Sequence, residues 1–140
     1  MTIEIPASHI DLVTRPIHGV LTIMMPDGQP QSSLVWCDYD GECVRLNTTR
    51  ERQKGRNMLA NPRVSLLIVD PDDTSRYIQI RGDVEVIEEG APEHLDQITR
   101  AYTRHPQYYG YVFPFDQKER ETRIICRIHP RKITLDAIHR

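Results

Sequence analysis

Residues 18–49 read HGVLTIMMPDGQPQSSLVWCDYDGECVRLNTT. Three β-rich runs are separated by two turns of the same chemistry, Pro26-Asp27-Gly28 and Asp40-Gly41. Asp-Gly between apolar runs is a strong short-range hairpin signal. In the third run Val44, Leu46 and Thr48 alternate with Cys43, Arg45 and Asn47, the period of a strand. The intervals are too short for crossover helices. The three runs are therefore expected to be sequential antiparallel strands, a meander, and a doubly wound parallel sheet is disfavoured.

Working outward, Ala7 to Arg15 predicts a short opening helix with Ser8 as N-cap and an extended exit at Pro16. Downstream, Asn61-Pro62 stops a second helix. RVSLLIVD, residues 63–70, is apolar on both faces and belongs inside a closed or covered sheet. The loop 71–75 leads to a long strand, Arg76 to Glu88, with Gly82 where a barrel bends or bulges. Ala91 to Arg104 predicts a helix, with Leu95, Ile98, Ala101 and Tyr102 at helical spacing. The last strand run, TRIICRIHPRKITLDAI at 122–138, carries Pro130, which marks an edge or bulge. Six or so strands with few helices predict a small antiparallel barrel, mainly β, in a single domain over 1–140.

Composition narrows the function classes. Eighteen Lys and Arg against twenty Asp and Glu give a net charge of -2, so no global basic field favours nucleic acid. No apolar run approaches the roughly 20 residues of a membrane helix, and the N-terminus lacks the charged start and apolar core of a signal peptide. Cys37, Cys43 and Cys126 form no close pair and no metal-like spacing. They suit reduced, buried thiols in the cytoplasm, with no metal site.

Against this near-neutral background, residues 46–63, LNTTRERQKGRNMLANPR, concentrate Arg50, Arg52, Lys54 and Arg56 directly after Asn47-Thr48-Thr49 at a strand end. Two readings compete. One is a solvated helix face on which Glu51 pairs with its basic neighbours. The other is a seat for an anion. A helix N-terminus disfavours cations, so basic residues there make sense when a phosphate lies between them and the helix end. Only Glu51 is acidic in the segment. The anion seat is favoured.

The segment TTRERQKGRNMLANPRVSLL, 48–67, resembles the Arg-x-Lys-x-Arg-Asn-Leu and Asn/Asp-Pro-Arg-Val-Ser motifs of pyridoxamine-phosphate-oxidase-like split β-barrel proteins. It is most similar to the branch that uses the deazaflavin coenzyme F-420. GVLTIMMPDGQPQSSLVWCDYDG resembles the family's first hairpin, DPDDTSRYIQIRGDVEVIEE its long strand, and RIHPRKI its closing strand. The resemblance implies a six-stranded antiparallel Greek-key split barrel with a few short helices. It also implies a homodimer with cofactor clefts between the subunits. Position by position, it implies that Arg52 and Lys54 hold the cofactor phosphate with Thr48 and Thr49, and that Asn47 sits at the matching strand end. Ser33 and Val35 would line the ring system by their backbone, and Tyr77 would reach the cofactor from the partner subunit. Arg50 and Arg56 are weaker candidates; Leu34 and Met58 read as core. A segment gripping pyridoxal phosphate has no counterpart in the closing LDAIHR, which argues against pyridoxamine-phosphate oxidase itself.

A flavin or deazaflavin carries the hydride chemistry, so the absence of a nucleophile elbow, a glycine-rich phosphate loop or paired histidines is consistent, and no protein acid, base or other catalytic residue is assigned. The implied activity is hydride transfer from reduced F-420 to an electron-poor small molecule. The alternatives are an FMN-dependent oxidase or reductase, or a non-catalytic cofactor-binding protein. The acidic tail of F-420 favours it where cations exceed the phosphate's needs; Arg50, Arg56, Arg76 and Arg81 are candidates. Finally AYTRHPQYYGYVFPF, 101–115, is either a packing cluster pinned on the barrel or an aromatic lid over the substrate side. Tyr108, Tyr109, Tyr111 and His105 are the lid candidates.

Overall fold

The computed structural model describes residues 3–136. Seven strands form one sheet: β1 Gly19–Met24, β2 Pro30–Val35, β3 Asp38–Tyr39, β4 Val44–Thr49, β5 Arg63–Val69, β6 Tyr77–Ile87 and β7 Arg123–Leu135. Three helices accompany it: α1 Ile10–Thr14, α2 Gln53–Ala60 and α3 Ala91–Thr103. The strand order is β2-β1-β5-β6-β7-β4-β3, antiparallel throughout. β2 and β3 lie at opposite edges, yet only Trp36 and Cys37 separate them in the chain. Three peptide steps span at most about 11 Å, so the edges approach and the sheet curls into a barrel split along that seam. The expected split β-barrel is the fold.

Two details of the strand reading change. QSSLVWCDY was expected as one strand; it breaks at Trp36-Cys37, which raises the count from six to seven. The three runs are also no simple meander. β1–β2 and β3–β4 are hairpins, but β4 pairs with β7 rather than β2. A side chain from α3 makes the break tolerable. The hydroxyl of Tyr102 accepts from the Cys37 N–H at 3.1 Å and lies 2.7 Å from the Ile17 carbonyl and 3.0 Å from that of Cys37. Backbone groups freed from the ladder are thereby satisfied.

The expected irregularity in the long strand is present. The register between β6 and β7 passes from Arg81 opposite Lys132 to Gly82 opposite Pro130, leaving Arg131 as the extra residue of a bulge. β5 lies between β1 and β6, with Val64, Leu66 and Ile68 turned into the core. Leu21, Leu66, Ile68, Ile78, Ile80, Ile124 and Ile128 are all at most 1% exposed, each contributing about 1.5–3 kcal/mol by leaving water. α3 packs through Leu95 and Ile98, as its spacing predicts, whereas Ala101 faces solvent.

Ser8 does not cap the first helix. Its hydroxyl bonds to Nδ1 of His9 at 2.8 Å, and α1 starts at Ile10 without a side-chain cap. The turn is anchored instead by His9 Nε2, 2.7 Å from Asp136 Oδ1 at the far end of β7. The three cysteines are buried thiols without disulfides; burial pushes Cys37 up to about 11 and Cys126 to about 12. No described helix is long and apolar enough to cross a membrane. Ala137 and Ile138, the end of the last strand run, lie outside the described residues.

Candidate functional site

The ends of β4 and β7 meet in register, Thr48 opposite Ile124 and Thr49 opposite Arg123. α2 follows β4 after a short turn, tied by the backbone N–H of Arg52 donating to Thr49 Oγ1 at 3.1 Å. Above this junction opens a cavity of about 370 Å³. Its polar side is built from Asn47, Thr48, Arg52, Lys54 and Arg123. Its apolar side comes from Leu34, Val35 and Trp36 on the β2 edge, Leu95 and Ile98 on α3, and Tyr108 and Val112 beyond it.

Of the residues expected at the site, Val35, Asn47, Thr48, Arg52 and Lys54 are brought together here. Thr49 is fully buried beneath the seat, where it anchors the turn. Ser33 lies two residues from Val35 on β2 and does not line the cavity, nor does Tyr77 at the start of β6. Arg50 pairs with Glu88 at 3.1 Å, and Arg56 turns back to the Glu51 carbonyl. Arg76 is bound to Asp11 and Asp70, while Arg81 shares a separate cleft of about 350 Å³ with Arg63 and Arg131. Met58 is core as expected; Leu34 is not, being 68% exposed on the cavity rim.

The charges are unequal. Arg52 donates to Glu121 Oε2 at 2.8 Å and sits over the Phe113 ring at 5.2 Å. Glu121 Oε1 accepts from the Tyr109 hydroxyl at 2.7 Å and lies 3.5 Å from Arg123 Nη1. Burial and the Glu121 bond together push the Tyr109 phenol up to about 12. Lys54 has no ion pair among the described residues; burial, then the neighbouring Arg52 charge, holds its amine below the usual lysine range. Three cations thus face one carboxylate. A bound anion would relieve that imbalance.

Glu121 places its carboxylate between two of these cations, where an anionic ligand competes with it. Glu121→Gln is expected to tighten binding of inorganic phosphate by about fivefold, since a partly exposed ion pair is worth roughly 1 kcal/mol. Calorimetric titration measures this. Weaker binding in the variant would show that Glu121 orients the cations rather than opposing the ligand.

The sequence reading missed Arg123, Trp36 and His18 as lining residues. A charged residue opening the apolar run RIIC was the available signal for Arg123; its pairing with β4 across some seventy residues was not legible. The aromatic stretch divides. Tyr108 lines the cavity, Tyr109 is buried against Glu121, and Tyr111 is 55% exposed and stacks on His105 at 5.2 Å. Of the four lid candidates, only Tyr108 reaches the cavity.

A family model described as pyridoxamine 5'-phosphate oxidase matches residues 6–135. Among solved structures, an F420 reductase is similar at 32% identity and a TM-score of 0.79, over 93% of this chain and 98% of that one. A conserved hypothetical protein from Mycobacterium tuberculosis is similar at 29% identity and a TM-score of 0.72, over 96% and 86%. A heme binding protein from Mycobacterium smegmatis shares the fold alone, at 18% identity and a TM-score of 0.60, over 95% of this chain and 55% of that one. A search of the curated proteins finds no match. With its split barrel, its strand-end cluster of cations and a family match over nearly its whole length, the chain belongs to the pyridoxamine 5'-phosphate oxidase family.

Proposed function

We propose that the protein is an oxidoreductase that binds the deazaflavin coenzyme F-420 and reduces an electron-poor small molecule. The observation that carries this reading is the half-buried Lys54, without an ion pair among the described residues, beside Arg52 at a strand end that opens onto an apolar wall. A phosphate fits that donor set: two cations, the Thr48 hydroxyl and the turn before α2. When bound, the deazaflavin supplies the hydride. The chain's own residues bind and orient. Arg52, Lys54 and Thr48 hold the phosphate, and Thr49 fixes the turn beneath it. Asn47 holds Arg123 by accepting from its Nε at 2.9 Å. The backbone at Val35, two residues along β2 from Ser33, would border the ring, and the apolar residues of β2 and α3 would exclude water.

Arg50, Arg56 and Arg76 are engaged elsewhere and Arg81 lies in a separate cleft, so the preference for F-420 over FMN rests on the likeness to an F420 reductase. In this reading the protein is a cytoplasmic homodimer with cofactor clefts between subunits. Tyr77, remote from its own cavity, then serves the partner's cleft. The test is anaerobic mixing of reduced F-420 and protein with unsaturated ketones and quinones. Saturable, protein-dependent oxidation of the cofactor is expected. Tight F-420 binding without turnover of any acceptor would contradict the enzyme reading.

A further inference from the structure

Arg123 is only 7% exposed, yet it lines the cavity. A buried guanidinium is costly unless its donors are used. Its Nε donates to Asn47 Oδ1 at 2.9 Å. Arginine only donates, so this bond fixes the Asn47 amide with its NH₂ pointing the other way. That NH₂ donates to the Ala91 carbonyl at 2.8 Å and to His94 Nδ1 at 3.1 Å. His94 Nδ1 therefore carries no proton, and Nε2–H donates to Asp38 Oδ1 at 3.1 Å. Asp38 is in turn gripped by Arg45 at 3.0 and 2.7 Å. Donation runs from Arg123 through Asn47 and His94 to Asp38, which also accepts from Arg45.

The relay accounts for one edge of the guanidinium, and the Tyr108 ring covers its face at 5.2 Å. Glu121 approaches Nη1 at 3.5 Å, the limit of a hydrogen bond, and its other oxygen belongs to Arg52. The Tyr109 phenol also lies near the guanidinium, but no described residue hydrogen-bonds Nη2 within 3.5 Å. No side-chain nitrogen or oxygen sealed from solvent lacks a partner among them either, so Nη2 is reached from the cavity. A planar donor pair held from one edge suits a carboxylate, whereas Arg52 and Lys54, beside the Thr48 hydroxyl and the turn before α2, suit a phosphate.

We infer that Arg123 anchors a carboxylate of the acceptor substrate, a small conjugated acid, beside the apolar wall of α3 and under Tyr108. This rests on the oxidoreductase reading for the word acceptor, but the binding site stands on the geometry alone. Asn47 and His94 are positioning residues for it. With the cofactor phosphate on Arg52 and Lys54, Arg123 remains for a second anion.

The test titrates the full-length protein with cinnamate and with cinnamamide by calorimetry, with and without saturating F-420. Wild type is expected to bind the acid at least about tenfold more tightly than the amide. Arg123→Met is expected to erase that preference whether or not F-420 is present, and Arg123→Lys to restore part of it. A wild type that does not distinguish acid from amide overturns the inference without any variant. So does a folded Arg123→Met protein that keeps the acid preference. An acid preference in a wild type that does not bind F-420 supports the Arg123 site and removes the cofactor reading instead.

Discussion

Lys54→Ala is expected to weaken F-420 binding by about ten- to a hundred-fold while the protein stays folded. A charge-assisted bond to phosphate contributes roughly 1.5–3 kcal/mol, and each 1.4 kcal/mol is a factor of ten. Lys54 reaches the upper part of that range for two reasons. It is half-buried, so its charge is poorly screened, and it has no protein partner among the described residues that would offset the loss. Arg52 is the weaker contributor, because it is already engaged with Glu121 and its side chain is 44% exposed. The depressed Lys54 amine adds a pH signature. Affinity should be full at neutral pH and fall as pH rises, from a lower pH than an ordinary lysine would give. Fluorescence titration of wild type and variant across pH measures both effects. Wild-type affinity in a folded Lys54→Ala protein would remove the phosphate seat from the account.

Gly55→Ala is expected to destabilise the protein by about 3 kcal/mol and to lower its melting temperature by roughly 10 °C. Helix propensity alone predicts the opposite sign, a gain of about 1 kcal/mol for replacing a glycine inside a helix. Packing decides between them. A Cβ on Gly55 would lie 1.8 Å from the Thr49 carbonyl oxygen and 2.9 Å from its carbon. Both are backbone atoms, so relief requires α2 to move off the end of β4. That shift would carry Arg52 and Lys54 with it, so binding and stability should fall together. Thermal unfolding followed by circular dichroism is the measurement. A variant as stable as wild type would mean that α2 rides more loosely on β4 than the contact allows.

These two effects mark what was legible in the sequence and what was not. The strand runs, the Asp-Gly turns, the helix stop at Asn61-Pro62 and the bulge at Gly82 and Pro130 are local signals, and each appears where its residues dictate. The break at Trp36-Cys37 was illegible because Tyr102, some sixty-five residues on, supplies the hydrogen bonds that make it possible. The site divides in the same way. Its cations on α2 follow a strand end within a few residues, so the segment announced them. The aromatic stretch offered Tyr108 as one of four candidates, whereas Arg123 and Trp36 reach the site by long-range sheet pairing, and beyond the charge that opens RIIC nothing local carries that information. Leu34 was misread for a related reason. An apolar residue on an edge strand can border a ligand cleft as readily as a core, and alternation does not tell which.

The Glu121 carboxylate links the two anion positions. It sits between Arg52 and Arg123, keeping both cations partly satisfied when no ligand is present. Its removal and the removal of Lys54 should therefore move phosphate affinity in opposite directions, which no simple loss of folding would do.

The most direct test of the central claim is a side-by-side fluorescence titration of the purified protein with F-420 and with FMN. Micromolar or tighter binding of F-420 and much weaker binding of FMN are expected. Preference for FMN would contradict the deazaflavin assignment, and binding of neither would return the strand-end cations to the status of a solvated helix face.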